Sequence, residues 1–257
     1  MSVRCEIKDH IAWVTIDRPD VLNAIDDASE ARLREIWSEL EGNRDVRVAV
    51  LSGAGDRAFC AGADVKNTGK EGLDYWAQPR AGGFGGISIR TTLDIPVVAR
   101  VNGHALGGGF EMVLGCDIVV ACEEATFGLP EPRIGRLPLD GGMLLLSRQI
   151  PRKQAMGLLL TGRRVPAAEG HRLGFVNEVV PRAKLDEAVA RWLADIVACA
   201  PLSLRAIKQI VNATAQLSVE QAQSLRLPAL IEALRSEDGL EGVRAFQQKR
   251  KPEWRGR

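Results

Sequence analysis

The sequence has almost no net charge: 34 Lys and Arg stand against 33 Asp and Glu, which leaves +1. So even a balance provides no bulk field to draw nucleic acid or an acidic membrane surface, and argues against both as partners. The five cysteines (Cys5, Cys60, Cys116, Cys122, Cys199) are odd in number, scattered, and lack the spacing of a metal site. They fit a reducing compartment, where a buried thiol serves as a small apolar side chain. No apolar run reaches membrane-spanning length, and Met1-Ser2-Val3-Arg4 leads into a strand-like pattern with no leader-type apolar core. Strict repeats and low-complexity tracts are absent too. A soluble, cytoplasmic protein without metal is expected.

What is present suits a substantial core. Of the 257 residues 46% are apolar and 26% charged, and one α/β domain can run to this length. Residues 11–16 are rich in β-branched side chains and end at Arg18-Pro19, which predicts a strand. A helix is expected from Asp26, a suitable N-cap, with Leu33, Ile36, Trp37 and Leu40 on one face and Gly42 at its stop. Further strands are expected over 46–51, 97–101, 118–121 and 175–180, with helices from about Gly107 and over 166–173. Such alternation points to an α/β or spiral β-β-α arrangement. Residues 69–86, glycine-rich and without period, read as a long mobile surface loop. Beyond Lys184 the pattern is helical, with an apolar stripe of Leu185, Ala188, Val189, Trp192 and Ile196. Helices then follow over 202–213, 218–235 and 238–249, the second of these bent at Pro228.

Two glycine clusters stand out. Gly53-Ala54-Gly55-Asp56-Arg57-Ala58 loosely matches a dinucleotide fingerprint, but Phe59-Cys60-Ala61-Gly62 follows where that motif needs a helix. Gly103-His104-Ala105-Leu106-Gly107-Gly108-Gly109 resembles a phosphate loop without its Lys-Ser/Thr pair. A different use fits both. Glycines at a helix start allow close approach to unpaired N–H donors, where negative charge is favoured. The alternative is a tight strand-to-helix turn with no chemistry.

Two carboxylates favour the chemical reading. Glu111 falls in the first turn of the glycine-led helix among Phe110, Met112, Val113 and Leu114, and Glu131 lies between Pro130 and Pro132. A glutamate in apolar surroundings is rare unless it is paired or used. Pairing with Arg133 or Arg136 is the structural alternative. His104 has no Ser or Cys nucleophile beside it and reads as structural.

Several ordered motifs resemble the crotonase superfamily of acyl-CoA enzymes. They begin with Arg18-Pro19…Leu22-Asn23-Ala24 and Phe59-Cys60-Ala61-Gly62-Ala63-Asp64. Asn102-Gly103-His104-Ala105-Leu106-Gly107-Gly108-Gly109-Phe110-Glu111 and Phe127-Gly128-Leu129-Pro130-Glu131 follow. Thr161-Gly162-Arg163, Gly174-Phe175-Val176-Asn177-Glu178-Val179-Val180 and Phe246…Lys249-Arg250…Pro252 complete the set, which spans nearly the whole chain. Gly82-Gly83-Phe84, Arg164 and the stretch from Ser236 to Arg250 are similar to the branch that hydrates crotonobetainyl-CoA, whose acyl group ends in trimethylammonium.

The resemblance implies a spiral of β-β-α units over 1–199 and a helical C-terminal region, 200–257, that assembles a homotrimer or a dimer of trimers. It implies an enoyl-CoA hydratase with coenzyme A as part of the substrate and no tightly bound cofactor. Backbone N–H groups of Ala61 and Gly108 would hold the thioester oxygen; Glu111 would orient and activate water, and Glu131 would protonate Cα. Leu22, Ala24, Ala61, Gly62, Ala63 and Asp64 would border the CoA arm, and Phe246 and Lys249 would meet its adenine and phosphate end. A trimethylammonium acyl group would need an anionic or aromatic wall, for which Asp140, Tyr75, Trp76 and Asp74 are candidates; Asp140 could equally cap the next helix. An enoyl-CoA isomerase and a non-catalytic CoA-binding or assembly protein are the competing readings. Isomerisation can run with one acid/base group, so two glutamates favour hydration.

Overall fold

The computed structural model describes residues 2–64, 72–78 and 80–257. Its strands, in chain order, are β1 (Val3–Lys8), β2 (Ile11–Ile16), β3 (Val48–Gly53), β4 (Ala58–Cys60) and β5 (Val97–Val101). Then come β6 (His104–Leu106), β7 (Ile118–Cys122), β8 (Thr126–Gly128), β9 (Val165–Pro166) and β10 (Glu178–Val180). A six-stranded sheet has the order β1-β2-β3-β5-β7-β10, and a four-stranded sheet the order β4-β6-β8-β9. Pairing is parallel throughout except for the β1–β2 hairpin and the β8–β9 edge.

Burial explains the strand sequences. β3 is buried along its whole length, and β5 and β7 nearly so, because parallel strands are covered on both faces and read as continuous apolar runs. β2 alternates instead, with Ala12, Val14 and Ile16 inward, as a strand with one covered face does. β3–β4, β5–β6 and β7–β8 are successive turns of a spiral, each leaving one strand in the large sheet and the next in the small one. Consequently β4, β6 and β8 lie side by side and run in one direction. Their C-terminal ends deliver residues 61–64, 107–111 and 129–131 to one place, the usual position for a site on parallel strands.

The helix Asp27–Gly42 begins as expected: the Asp26 side chain accepts from Ser29 N at 2.8 Å, and Leu33, Ile36, Trp37 and Leu40 are buried. The glycine-led helix is Gly108–Leu114 and is buried at every residue. The last strand is shorter than expected. Gly174, at φ 102°, ends the helix Ala167–Leu173, and only Glu178–Val180 pairs with β7.

Residues 69–71 and 79 of the expected loop lie outside the described residues. The rest is only partly surface, and it is not irregular throughout: residues 72–78 are largely exposed, and 83–88 are buried. A short helix covers Gly72–Trp76, and 83–88 form a buried turn. Gly82, Gly83, Gly85 and Gly86 all take positive φ there. Trp37 Nε1 donates to Gly85 O at 2.8 Å, and Gly85 N donates to Glu30 Oε2 at 2.9 Å. Glycine lets the turn coil tightly while distant side chains satisfy its backbone, and periodicity carries no trace of that.

The apolar core runs as far as Ile196. Beyond it stand helices Pro201–Thr214, Val219–Ser224, Pro228–Arg235 and Glu237–Gln247. Pro228 does not bend a helix but starts a new one. Leu225 and Leu227 are extended, because a proline drives the residue before it out of the helical region and suits the first helical position. Buried Arg205 ties this region to the body by pairing with Asp94 and donating to the carbonyls of Asn43 at 2.9 Å and Val46 at 3.2 Å. Among the described residues no helix is long and apolar enough to cross a membrane.

Candidate active site

Arg18 joins two of the segments expected along the CoA arm. Its guanidinium donates to Ala24 O and pairs with Asp26 at 3.0 Å and Asp64 at 3.2 Å. Asn23, buried at φ 56°, accepts from Arg18 N at 2.9 Å and donates to Ala58 O at 2.8 Å and Ala54 O at 2.9 Å. Leu22 and Ala24 are half-buried, Asp64 is buried, and Gly62 and Ala63 line the adjoining cleft. The Arg-Pro…Leu-Asn-Ala motif is therefore a clamp that holds residues 22–25 against 61–64.

That clamp reassigns one expected donor. Ala61 N donates to Leu22 O at 3.0 Å and is not available to a ligand. Ile25 N donates to Gly62 O at 2.9 Å and Asp64 N to Ile25 O at 2.8 Å, a parallel bridge centred on Ala63. The two bonds flank Ala63, so its own N–H points away from Ile25, on the side of the cleft that Ala63 lines. Gly108 N, the first of its helix, likewise has no hydrogen-bond partner among the described residues. A Cβ placed on Gly62 would lie 3.4 Å from Gly108 N, so the two loops are in contact. The Ala63 and Gly108 N–H groups are therefore the two that no described residue takes up at this cleft.

Both glutamates face the same cleft, about 710 Å³ in volume. Glu111 is 3% exposed, and its Oε1 accepts from Asp140 N at 2.9 Å and Gly142 N at 2.8 Å. Burial, with the negative charges of Asp140 and Glu131 added, outweighs those N–H groups and pushes its carboxyl up to about 8. Burial also raises Glu131, whose Oε2 is sealed from solvent without a hydrogen-bond partner. Arg133 does not pair with it but donates to Thr161 O at 2.8 Å. Gly107, at φ 55°, makes room: a Cβ there would stand 2.9 Å from Glu131 Oε1. Raised carboxyls that share a cleft with two backbone N–H groups can exchange protons with a substrate whose oxygen gains negative charge.

Asp140 does not cap the following helix; Gly141 occupies that position, and no side chain caps it. The Asp140 carboxylate instead accepts from Arg80 Nη2 at 2.7 Å and from Tyr75 Oη. Tyr75, Trp76 and Asp140 all line the cleft, as do Leu73, Phe84, Ile134, Leu137, Leu139 and Met143. Asp74 is exposed and lies outside the lining. Phe246 is 86% exposed, Lys249 is exposed, and neither lines this cleft. His104 bonds through Nδ1 to Thr126 Oγ1 at 2.8 Å, a link within the small sheet. Sequence reasoning missed Ala63 as donor and Arg80 as partner; the free N–H needed the bridge pairing, and Arg80 sits 60 residues from Asp140.

A β-β-α spiral that gathers buried Glu111, half-buried Glu131 and two backbone N–H groups at one cleft defines an acid/base enzyme site of the acyl-CoA type. The enoyl-CoA hydratase/isomerase family model matches residues 6–257, and the chain belongs to that family. It is 40% identical over 261 residues to the carnitinyl-CoA dehydratase of Proteus mirabilis, covering 100% of this chain and 99% of the other. The corresponding Salmonella typhi protein is 39% identical over 251 residues, with coverage of 96% and 95%. Among solved structures, enoyl-CoA hydratase from Bacillus anthracis superposes with a TM-score of 0.93 at 30% identity, covering 100% of both chains. That from Mycobacterium tuberculosis gives 0.89 at 33% identity, covering 100% of this chain and 99% of the other.

Proposed function

We propose that the chain adds water across the α,β double bond of a short-chain enoyl-CoA thioester. The observation that carries this is the pair Glu111 and Glu131 in one cleft with the Ala63 and Gly108 N–H groups. The thioester oxygen sits between those two donors, and charge drawn onto it leaves Cβ open to attack. Glu111, held through Oε1, keeps its other oxygen for a water molecule at Cβ. As the water oxygen bonds to Cβ, its proton passes to the ionised carboxylate and Cα takes a proton from the protonated one. The glutamate pair ends with the same number of protons it began with. Burial supports this, because it pushes Glu111 up to about 8, so that the pair holds a proton near neutral pH, and it raises Glu131 as well.

Coenzyme A enters as part of the substrate, its arm bordered by residues 22–24 and 61–64. Exposed Phe246 and Lys249 then act on the far end of CoA bound by a neighbouring subunit, in a homotrimer or a dimer of trimers. Ile207, Val211, Leu234, Leu240 and Val243, exposed on the C-terminal helices, supply apolar surface for such contacts. Five free thiols suit a cytoplasmic location. The test is crotonyl-CoA turnover, read as loss of the conjugated thioester's absorbance. Hydration is expected, and its absence from well-folded protein would overturn the reading.

A further inference from the structure

Two residues that line the cleft, Asp140 and Tyr75, are both engaged by Arg80, a cation that is not itself among the lining side chains. Arg80 Nη2 lies 2.7 Å from Asp140 Oδ2, and the Arg80 guanidinium carbon lies 3.6 Å from the centre of the Tyr75 ring. Tyr75 Oη donates to the same Asp140 oxygen. One guanidinium thus engages the carboxylate and the aromatic face with which a trimethylammonium group would pair. Behind it, Glu30 pairs with Arg34 at 3.0 Å and stands 3.9 Å from Arg80, so the two arginines and two carboxylates balance. Among these four side chains no net negative charge is left over. The lining also includes the apolar Leu73, Trp76, Phe84, Leu137, Leu139 and Met143, with Arg136, Glu111 and Glu131 as its other charged members.

We infer that Arg80 is a specificity-determining residue: by neutralising Asp140 and covering Tyr75, it makes the cleft select an uncharged acyl group and reject a trimethylammonium one. A quaternary ammonium entering this cleft loses its water and needs a compensating charge. Here the Asp140 carboxylate is already paired with Arg80, so an incoming cation finds a neutralised partner with a like charge beside it, which disfavours it. The inference rests on the hydratase reading and narrows its substrate class.

The experiment measures binding of two unreactive saturated thioesters, butanoyl-CoA and 4-trimethylammoniobutanoyl-CoA, by calorimetry on the full chain. The wild type is expected to bind butanoyl-CoA about tenfold more tightly, or better. Arg80→Met, which removes the charge and keeps an apolar stem, should narrow that ratio about tenfold by freeing Asp140. The gain should vanish when Asp140→Asn is added, and Arg80→Lys, which keeps the charge, should preserve the wild-type ratio. Equal or tighter binding of the cationic thioester by the wild type would overturn the inference, as would an unchanged ratio in folded Arg80→Met. The wild-type comparison decides even if Arg80→Met does not fold. Neither ligand reacts, so failure of crotonyl-CoA turnover counts against the hydratase reading and leaves this result standing.

Discussion

Glu111 Oε1 accepts the backbone N–H of Asp140 at 2.9 Å, while the side chain of Asp140 turns away to Arg80 and Tyr75. One residue thereby fixes a buried carboxyl through its backbone and shapes the acyl wall through its side chain. The two tasks are separable, because Asp140→Asn leaves the N–H in place. Asp140→Asn should therefore keep crotonyl-CoA turnover within about tenfold of wild type, whereas Asp140→Pro should lower it about a hundredfold by releasing Glu111. Steady-state rates on the two variants check this.

Replacing either glutamate removes a proton carrier and keeps the shape. Glu111→Gln and Glu131→Gln should each reduce hydration by about two orders of magnitude or more, with CoA thioester binding retained. Near-normal turnover in both would leave the proposed chemistry without its groups.

The glutamate pair should also leave a signature in pH. The folded protein holds the Glu111 proton up to about 8, against 4.5 for a free glutamate, so folding favours the protonated form. Its stabilising effect is full below about pH 4.5 and is lost as pH rises to about 8. Glu111→Gln should accordingly melt higher than wild type at pH 8 to 9, with the gap closing towards pH 4.5. In the wild type, kcat/KM should fall above about pH 8, as the last proton leaves the pair. Paired melting curves and a pH–rate profile test both limbs.

The donor assignment separates two neighbouring alanines. Ala63→Pro removes a free N–H and should reduce kcat by roughly 10²–10³. Ala61→Pro breaks the bond to Leu22 and should appear mainly as lost stability, of about 1 kcal/mol or more. A large rate loss with intact folding in Ala61→Pro, and none in Ala63→Pro, would restore Ala61 as the donor.

Assembly and the CoA tail can be probed together. Light scattering should report a trimer or hexamer, and Lys249→Ala should weaken CoA thioester binding several-fold with kcat little changed. An active monomer in dilute solution, or unaltered affinity, would remove the respective part of the reading.

The sequence by itself marked the buried strands, because parallel strands covered on both faces must be apolar in consecutive positions and β3, β5 and β7 show that directly, while the spiral was implied by the family resemblance. It also marked Glu111 and Glu131, since a glutamate amid apolar neighbours is a conspicuous expense of solvation, and it placed Asp26 as a cap by local chemistry alone. Other features depended on contacts between residues far apart in the chain, where no local pattern forms. Residues 83–88 look like a loose glycine tract until Trp37 and Glu30 are seen to bind their backbone. Ala61 and Ala63 are equivalent in sequence, and only the bridge to Ile25 decides which N–H is free. Asp140 is an unattached acid in the sequence, and only the tertiary fold brings Arg80 within 2.7 Å of it. Burial and helix caps follow from neighbouring residues, whereas hydrogen-bond direction and charge pairing follow from which distant segments the spiral stacks together.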